Sequence, residues 1–249
     1  MSGEAGAAES AVVVAKFGVV VTGFKRSGTS LMMEILRRAG FAPWFDTRFE
    51  RFLVDEYPAG KAAGGTNEYF FEDPQVVHTG CNDALIAHLC SRQCSCKVFA
   101  YGINEELRQA ARTGQVRVVM MRRAHDSIRS SISTYKGDGA VEGHRTAAAD
   151  FAALEQLDLD GLAADLGALQ VRYEELVASP QQQVERLVHF LSLPVDGPAL
   201  PARDGECGGS AGSGIDQAET ETAGMPMLLP VSGFVQQMAD AVKPALRHH

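Results

Sequence analysis

What the chain lacks narrows it first. Basic residues fall short of acidic ones, 23 against 31, for a net charge of −8. No broad positive field is therefore available to hold nucleic acid through its phosphates, although a local basic pocket for a small anion stays open. Cysteine is sparse and odd in number, five in 249 residues. That is no secreted disulfide framework and reads as a reducing compartment, the cytoplasm. Long apolar runs are missing too: the stretch at 11–21 is short and broken by Lys16, and the segment MSGEAGAAES before it has no basic region. Neither a membrane span nor a signal peptide is expected. The remaining composition, 45% hydrophobic and 22% charged, is that of a globular protein with a sizeable core.

The pattern that is present alternates strand and helix. Residues 12–22 form a nearly continuous β-branched run, as in a strand buried on both faces, and helical spacing over 31–38 ends at Gly40. Further strands are expected at 96–101, 116–121 and 169–173. Helices are expected from Asp73-Pro74 through Leu89, over 104–111, 125–135 and 146–166, and from Ser179-Pro180 onward. Residues 41–75 read as aromatic and loop-rich. This alternation predicts an α/β fold of three layers, α/β/α, with a mainly parallel sheet in one domain. Residues 1–11 are read as a disordered leader, 12–203 as the domain, 204–224 as a Gly/Ser/acid-rich insert or linker, and 225–249 as a helical segment packing on it.

Between the first strand and its helix lies Gly23-Phe24-Lys25-Arg26-Ser27-Gly28-Thr29-Ser30. Backbone N–H groups at a helix N-terminus favour negative charge. Lys25 and Arg26 add cationic groups, Ser27, Thr29 and Ser30 add hydroxyls, and Gly28 permits close backbone approach. The spacing is that of the nucleotide-binding P-loop with one omission: Thr29 stands where the phosphate-reaching Lys belongs, which speaks against ATP or GTP hydrolysis. A second basic feature, Arg122-Arg123, ends the strand at 116–121 and is followed by Ser131. An Arg fork and a hydroxyl suit a dianionic phosphate, although taken alone two strand-end arginines are better explained as surface charge.

The segment VVVTGFKRSGTSLMMEIL resembles the 5′-phosphosulfate loop of the sulfotransferases that use 3′-phosphoadenosine 5′-phosphosulfate (PAPS), close to bacterial-type members with a PRSGTSLMM loop. Lys25 stands where that pattern has Pro. RVVMMRRAHDSIRSSIS is similar to the family's 3′-phosphate segment, and LQVRYEELVASPQQQVERLVHFLSLP to its RYEDL segment and following helix; together the likeness spans about 17–194. It implies a P-loop NTPase-like fold and sulfuryl transfer from PAPS to a hydroxyl or amine of a small-molecule, glycan or peptide acceptor. It also implies binding residues Lys25, Arg26, Ser27, Gly28, Thr29 and Ser30 at the 5′ end, with Arg123, Ser131 and Tyr173 around the 3′-phosphate. Arg26 would neutralise the leaving phosphate. No metal is required, and neither nucleic acid nor membrane is an expected partner. Two departures, the missing Gly before Tyr69 and the missing C-terminal basic clamp (Arg247 being a poor substitute), leave room for a degenerate member that binds the bisphosphate without turnover. A P-loop small-molecule kinase is the other rival.

A base is needed for the acceptor. Glu72 in NEYFFEDP resembles the family's GYFED segment, and Tyr69, Phe70 and Phe71 would desolvate it and raise its pKa. An ordinary surface Glu at a helix start explains the same residue equally well. Glu68, His125 and His144 are the alternatives, whereas His78 and His88 read as plain helix residues. His88, Cys90, Cys94 and Cys96 match no standard zinc spacing, and the cysteines read as inert buried thiols, one of them facing the strand core.

Overall fold

The computed structural model describes residues 17–56, 69–136 and 147–192. The expectations for the leader, the 204–224 insert, the C-terminal helix, Glu68, His144 and Arg247 lie outside these residues. At the centre is a five-stranded, all-parallel sheet in the order β2-β3-β1-β4-β5. The strands are β1 (Gly18–Gly23), β2 (Ala42–Trp44), β3 (Cys94–Lys97), β4 (Val116–Arg122) and β5 (Leu169–Arg172). The helices that matter below are α1 (Thr29–Arg38), α2 (Thr47–Glu56), α3 (Asp83–Arg92), α4 (Glu105–Arg112), α5 (His125–Lys136), α6 (Ala147–Gln156), α7 (Leu159–Asp165), α8 (Tyr173–Ala178) and α9 (Pro180–Ser192).

The β-branched runs dictate this layering. β1 is the middle strand and every one of its residues is buried, because helices cover both faces. Val19 and Val21 pack with Leu31, Met32, Ile35 and Leu36 of α1 and Val184, Leu187 and Val188 of α9. Val20, one residue out of phase, joins Leu85, Ile86 and Leu89 of α3, Leu107 of α4 and Leu162 of α7 on the other face. The expected three-layer α/β/α architecture is what forms. Among the described residues no helix is long and apolar enough to cross a membrane.

Local corrections have local causes. The loop-rich reading of 41–75 missed β2 and α2. β2 is three residues long, contains Pro43 and bonds only to β3, the edge position where a residue without N–H is tolerated. The helix expected from Asp73 starts only at Asp83. A turn at 74–79 closes at Gly80, with φ +87, and Asn82 caps the true helix by accepting the Leu85 N–H at 2.9 Å. The expected helix over 146–166 is two helices, since Asp158 interrupts it and caps α7 through the Gly161 N–H. The third strand is Cys94–Lys97 rather than 96–101, and a 3₁₀ turn occupies Ala100–Gly102. Tyr173, expected as a strand end, is the first residue of α8.

α1 carries one buried carboxylate, Glu34, bound by Arg37 Nε and Nη2 at 2.8 Å and by Arg38 Nε at 2.6 Å. Burial alone would raise its pKa, but the two guanidinium groups outweigh burial and hold it below the ordinary value. A depressed carboxylate contributes stability above its unfolded-state pKa, and that contribution disappears as pH falls through the folded-state value. Glu34→Gln is therefore expected to destabilise the protein at neutral pH and to flatten the acid limb of its stability curve below pH 4.5. Urea midpoints measured from pH 7 to pH 3 check this, and parallel acid limbs for the two proteins would refute it.

Candidate functional site

The candidate residues that the structure describes lie at the C-terminal edge of the sheet, where β1, β3, β4 and β5 hand over to their loops. The β1–α1 loop turns at Gly23, φ +145, where a Cβ would sit 2.5 Å from the Met121 carbonyl oxygen, and at Gly28, φ +98, where it would strike the Tyr173 ring at 2.7 Å. Between them Arg26 holds φ +65, a left-handed conformation that L-residues rarely take. Ser27 stabilises the turn from inside: its N–H and its hydroxyl both donate to the Phe24 carbonyl, at 3.1 and 2.7 Å. The hydroxyl expected to face a phosphate thus serves the loop. Gly28 offers α1 no side-chain cap and the first turn holds no acid, so the positive end of this ten-residue helix faces the edge without a carboxylate of its own first turn.

Arg123, at the end of β4, donates through Nη1 to the Arg26 carbonyl at 3.0 Å, and Arg26 Nε donates to Ser131 Oγ of α5 at 3.0 Å. The two anion-binding segments expected as separate sites form one cluster. The Arg123 guanidinium also lies 4.4 Å from the centre of the Tyr173 ring, a cation–π contact. Arg123 Nε is buried and has no hydrogen-bond partner. Burial pushes the Tyr173 phenol up, Glu174 adds to this, and Arg123 and Arg26 oppose it. Arg122 faces elsewhere, to Asp160 and Gln170, and behaves as a strand-end charge.

Lys25 belongs to a different neighbourhood from the one expected. Its ammonium is 3.8 Å from Asp150 of α6 and lies over the rings of Phe99 and Tyr101 at 5.7 and 6.0 Å. His78, in the turn before α3, stacks on Tyr101 at 5.7 Å. Thr29 is buried at the head of α1. His125 is exposed at the head of α5.

Glu72 has an unexpected neighbour. Of the aromatic rings that were to desolvate it, Tyr69 and Phe71 pack on each other and on Phe45, 5.6–5.9 Å centre to centre. Its carboxylate instead meets the ammonium of Lys97, at the end of β3, at 2.7 Å. Lys97 is buried and donates also to the Phe70 carbonyl at 2.6 Å and to Ser30 Oγ at 3.2 Å, while Ser30 donates to the same carbonyl at 3.1 Å. Behind this knot, Glu50 of α2 accepts the N–H groups of Phe70 and of Phe71, the latter at 2.8 Å. Burial raises the Glu50 pKa against the opposing pull of those N–H groups and of Lys97.

The sequence reading missed Lys97 and Glu50. The signal for Lys97 was a lone cation in CSCKVFA, a strand otherwise without charge; Glu50 in TRFERFL looks like any surface glutamate. The cysteines diverge: Cys90 Sγ donates to the Gln115 carbonyl at 2.9 Å, and Cys96 faces Cys81 at 3.6 Å. His88 packs edge-on against Trp44. Among the described residues no three His, Cys, Asp or Glu side chains are grouped to hold a metal ion.

No family model and no curated protein matches this chain. The reading of the site therefore stands on its geometry and on the loop chemistry.

The Lys97 knot yields a stability prediction. Removing one partner of a buried ion pair strands the other, so Lys97→Met should cost about 3–5 kcal/mol. Glu72→Gln should cost less, roughly 1–3 kcal/mol, because the ammonium keeps two acceptors. Urea unfolding of the two variants checks the order, and equal losses would count against the asymmetry.

Proposed function

We propose that the protein is a PAPS-dependent sulfotransferase. One observation carries this reading: Arg26, Arg123, Ser131 and Tyr173, drawn from four separate segments, meet beside the N-terminus of α1. A dianion finds there two guanidinium groups, a hydroxyl and an aromatic wall, and the buried, unpartnered Arg123 Nε is a donor that an anionic oxygen satisfies. This donor set fits a nucleotide with phosphates at both ends better than it fits a triphosphate with magnesium, since Thr29 replaces the loop Lys.

PAPS supplies a sulfuryl group on a phosphate leaving group: the acceptor oxygen or nitrogen forms a bond to sulfur, the sulfur–oxygen bond to phosphate breaks, and the phosphate keeps the electron pair. The protein's contribution is charge placement. The α1 N-terminus and Arg26 stabilise negative charge at the 5′ side. Arg123 and Ser131 hold the 3′-phosphate and distinguish it from a nucleotide that lacks one. Glu72 takes the acceptor's proton, and Lys97 keeps that carboxylate oriented toward Ser30.

Thermal-shift titration tests the reading. Adenosine 3′,5′-bisphosphate is expected to raise the melting temperature without magnesium, because a ligand of the folded state alone must stabilise it. ADP and ATP should do far less. Arg123→Ala should weaken bisphosphate binding by roughly tenfold or more, the loss of a charged hydrogen bond of about 1.5–3 kcal/mol. Stabilisation by magnesium-ATP instead would make the protein a small-molecule kinase. Bisphosphate binding without transfer to any acceptor in a screen of phenols, sugars and amines would make it a non-catalytic binder.

A further inference from the structure

Glu50 lies on α2, which no part of the phosphate-loop argument uses, yet it is nearly inaccessible, 3% exposed. This buried carboxylate, which among the described residues has no cation in hydrogen-bond contact, is costly unless N–H donors hold it. Its two oxygens take the consecutive N–H groups of Phe70 and Phe71. The second of these residues is itself unusual: Phe71, fully buried, has φ +57. A bulky residue in the left-handed region persists only where its surroundings over-determine it, and such residues gather where strain has a use.

What this backbone bends toward is the active edge. The carbonyl of Phe70 accepts from Ser30 of the phosphate loop and from Lys97. The next residue, Glu72, pairs with Lys97, and its own carbonyl accepts the Asp46 N–H at 3.2 Å just before α2. Glu50 holds the amide side of the 70–71 peptide while Ser30 and Lys97 hold its carbonyl side, so losing the double acceptor would loosen the direction in which the Phe70 carbonyl points.

We propose that Glu50 is a positioning residue: by clamping the Phe70 and Phe71 amides it sets the Phe70 carbonyl on Ser30 and Lys97, and so fixes where the Glu72 carboxylate stands relative to the phosphate loop. What the clamp serves rests on the sulfuryl-transfer reading; the clamp itself does not.

The protein carries its own reporter. Trp44 is the sole tryptophan, and its indole N–H donates to Asp73 Oδ2 at 3.0 Å, one residue beyond Glu72. In the full chain, at a temperature where every variant is folded, Glu50→Gln and Glu50→Ala are expected to shift Trp44 emission. Amide exchange across 69–73 should become roughly tenfold faster or more. Glu34→Gln, which removes another buried carboxylate bonded to Arg37 and Arg38 on α1, lowers global stability and should leave both readouts as in wild type. With PAPS and an acceptor found in the screen, Glu50→Gln should lower kcat roughly 10–100-fold. KM for PAPS should stay within about twofold. Added to Glu72→Gln, Glu50→Gln should cost almost nothing further, since the two act on one group.

Unchanged emission and exchange in the Glu50 variants, or changes no larger than those of Glu34→Gln, overturn the proposal. So does an additive loss in the double variant. If wild type transfers no sulfuryl group, the functional reading fails, and the emission and exchange measurements still decide the clamp.

Discussion

The ammonium of Lys97 brings three protons to a place that water does not reach, and each must find an acceptor within the protein. The three it finds come from three different stretches of chain: Ser30 Oγ on α1, the Phe70 carbonyl and the Glu72 carboxylate. Meeting that demand holds the phosphate loop, the 69–73 segment and the end of β3 in one arrangement. β3 can deliver the charge there because it pairs directly with β1, Lys97 opposite Val21, so the ammonium emerges beside the loop that leaves β1 two residues later. Were Lys97 apolar, the sheet could still form, but 69–73 would lose two of these ties and keep the bond from Ser30 Oγ to the Phe70 carbonyl.

Strain follows the same geography. Among the described residues three that are not glycine have positive φ: Arg26, Phe71 and Gln93. Gln93 ends α3, where a left-handed residue is an ordinary helix stop. The other two flank the edge where the candidate site lies, and each is held by contacts on more than one side. Arg26 gives its carbonyl to Arg123 and its Nε to Ser131. Phe71 is packed in the core on its ring side and bound by Glu50 on its amide side. A left-handed L-residue costs about 1–2 kcal/mol, which one or two good hydrogen bonds offset. The bonds that do so are the ones joining distant segments at this edge.

How much of this was legible follows from where the information is stored. β1 and β4 are long, apolar and central, so burial on both faces writes them into the sequence as unbroken hydrophobic runs. The loop after β1 and the arginines after β4 could be read because their chemistry is local: glycines, cations and hydroxyls within a few residues of each other. β2 could not, since three edge residues containing a proline have no periodicity to show. Lys97 and Glu50 escaped for a deeper reason. Their meaning lies wholly in partners 27 and 20 residues away, and a single sequence does not record which charge ends up buried. The same holds for Lys25, whose place over Phe99 and near Asp150 depends on α6 arriving from beyond residue 146.

For a chain with a net charge of −8 the proposed anion site must depend on where its charges lie rather than on how many it has. At physiological ionic strength a surface charge is screened within about 8 Å, so the acidic remainder of the molecule has little say at the sheet edge. What acts there is short-range. α1 presents a first turn without acid, and Arg26 and Arg123 are drawn together although like charges repel. The Tyr173 ring face relieves that repulsion for Arg123, as does the Arg26 carbonyl that its guanidinium holds. Glu174, the nearest acid in sequence to that ring, is tied to the Ala124 N–H at 3.0 Å and spends its charge on the head of α5. On the other side of the loop, Glu72 faces Lys97 and Asp150 faces Lys25. Glu72 and Asp150 are thus met by cations and Glu174 by an amide, while Arg26 Nε donates to a hydroxyl and Arg123 Nη1 to a carbonyl. In the proposed reaction an incoming anion would meet Arg26 and Arg123 at this edge, with the Glu72 carboxylate, held by Lys97, there to take the proton.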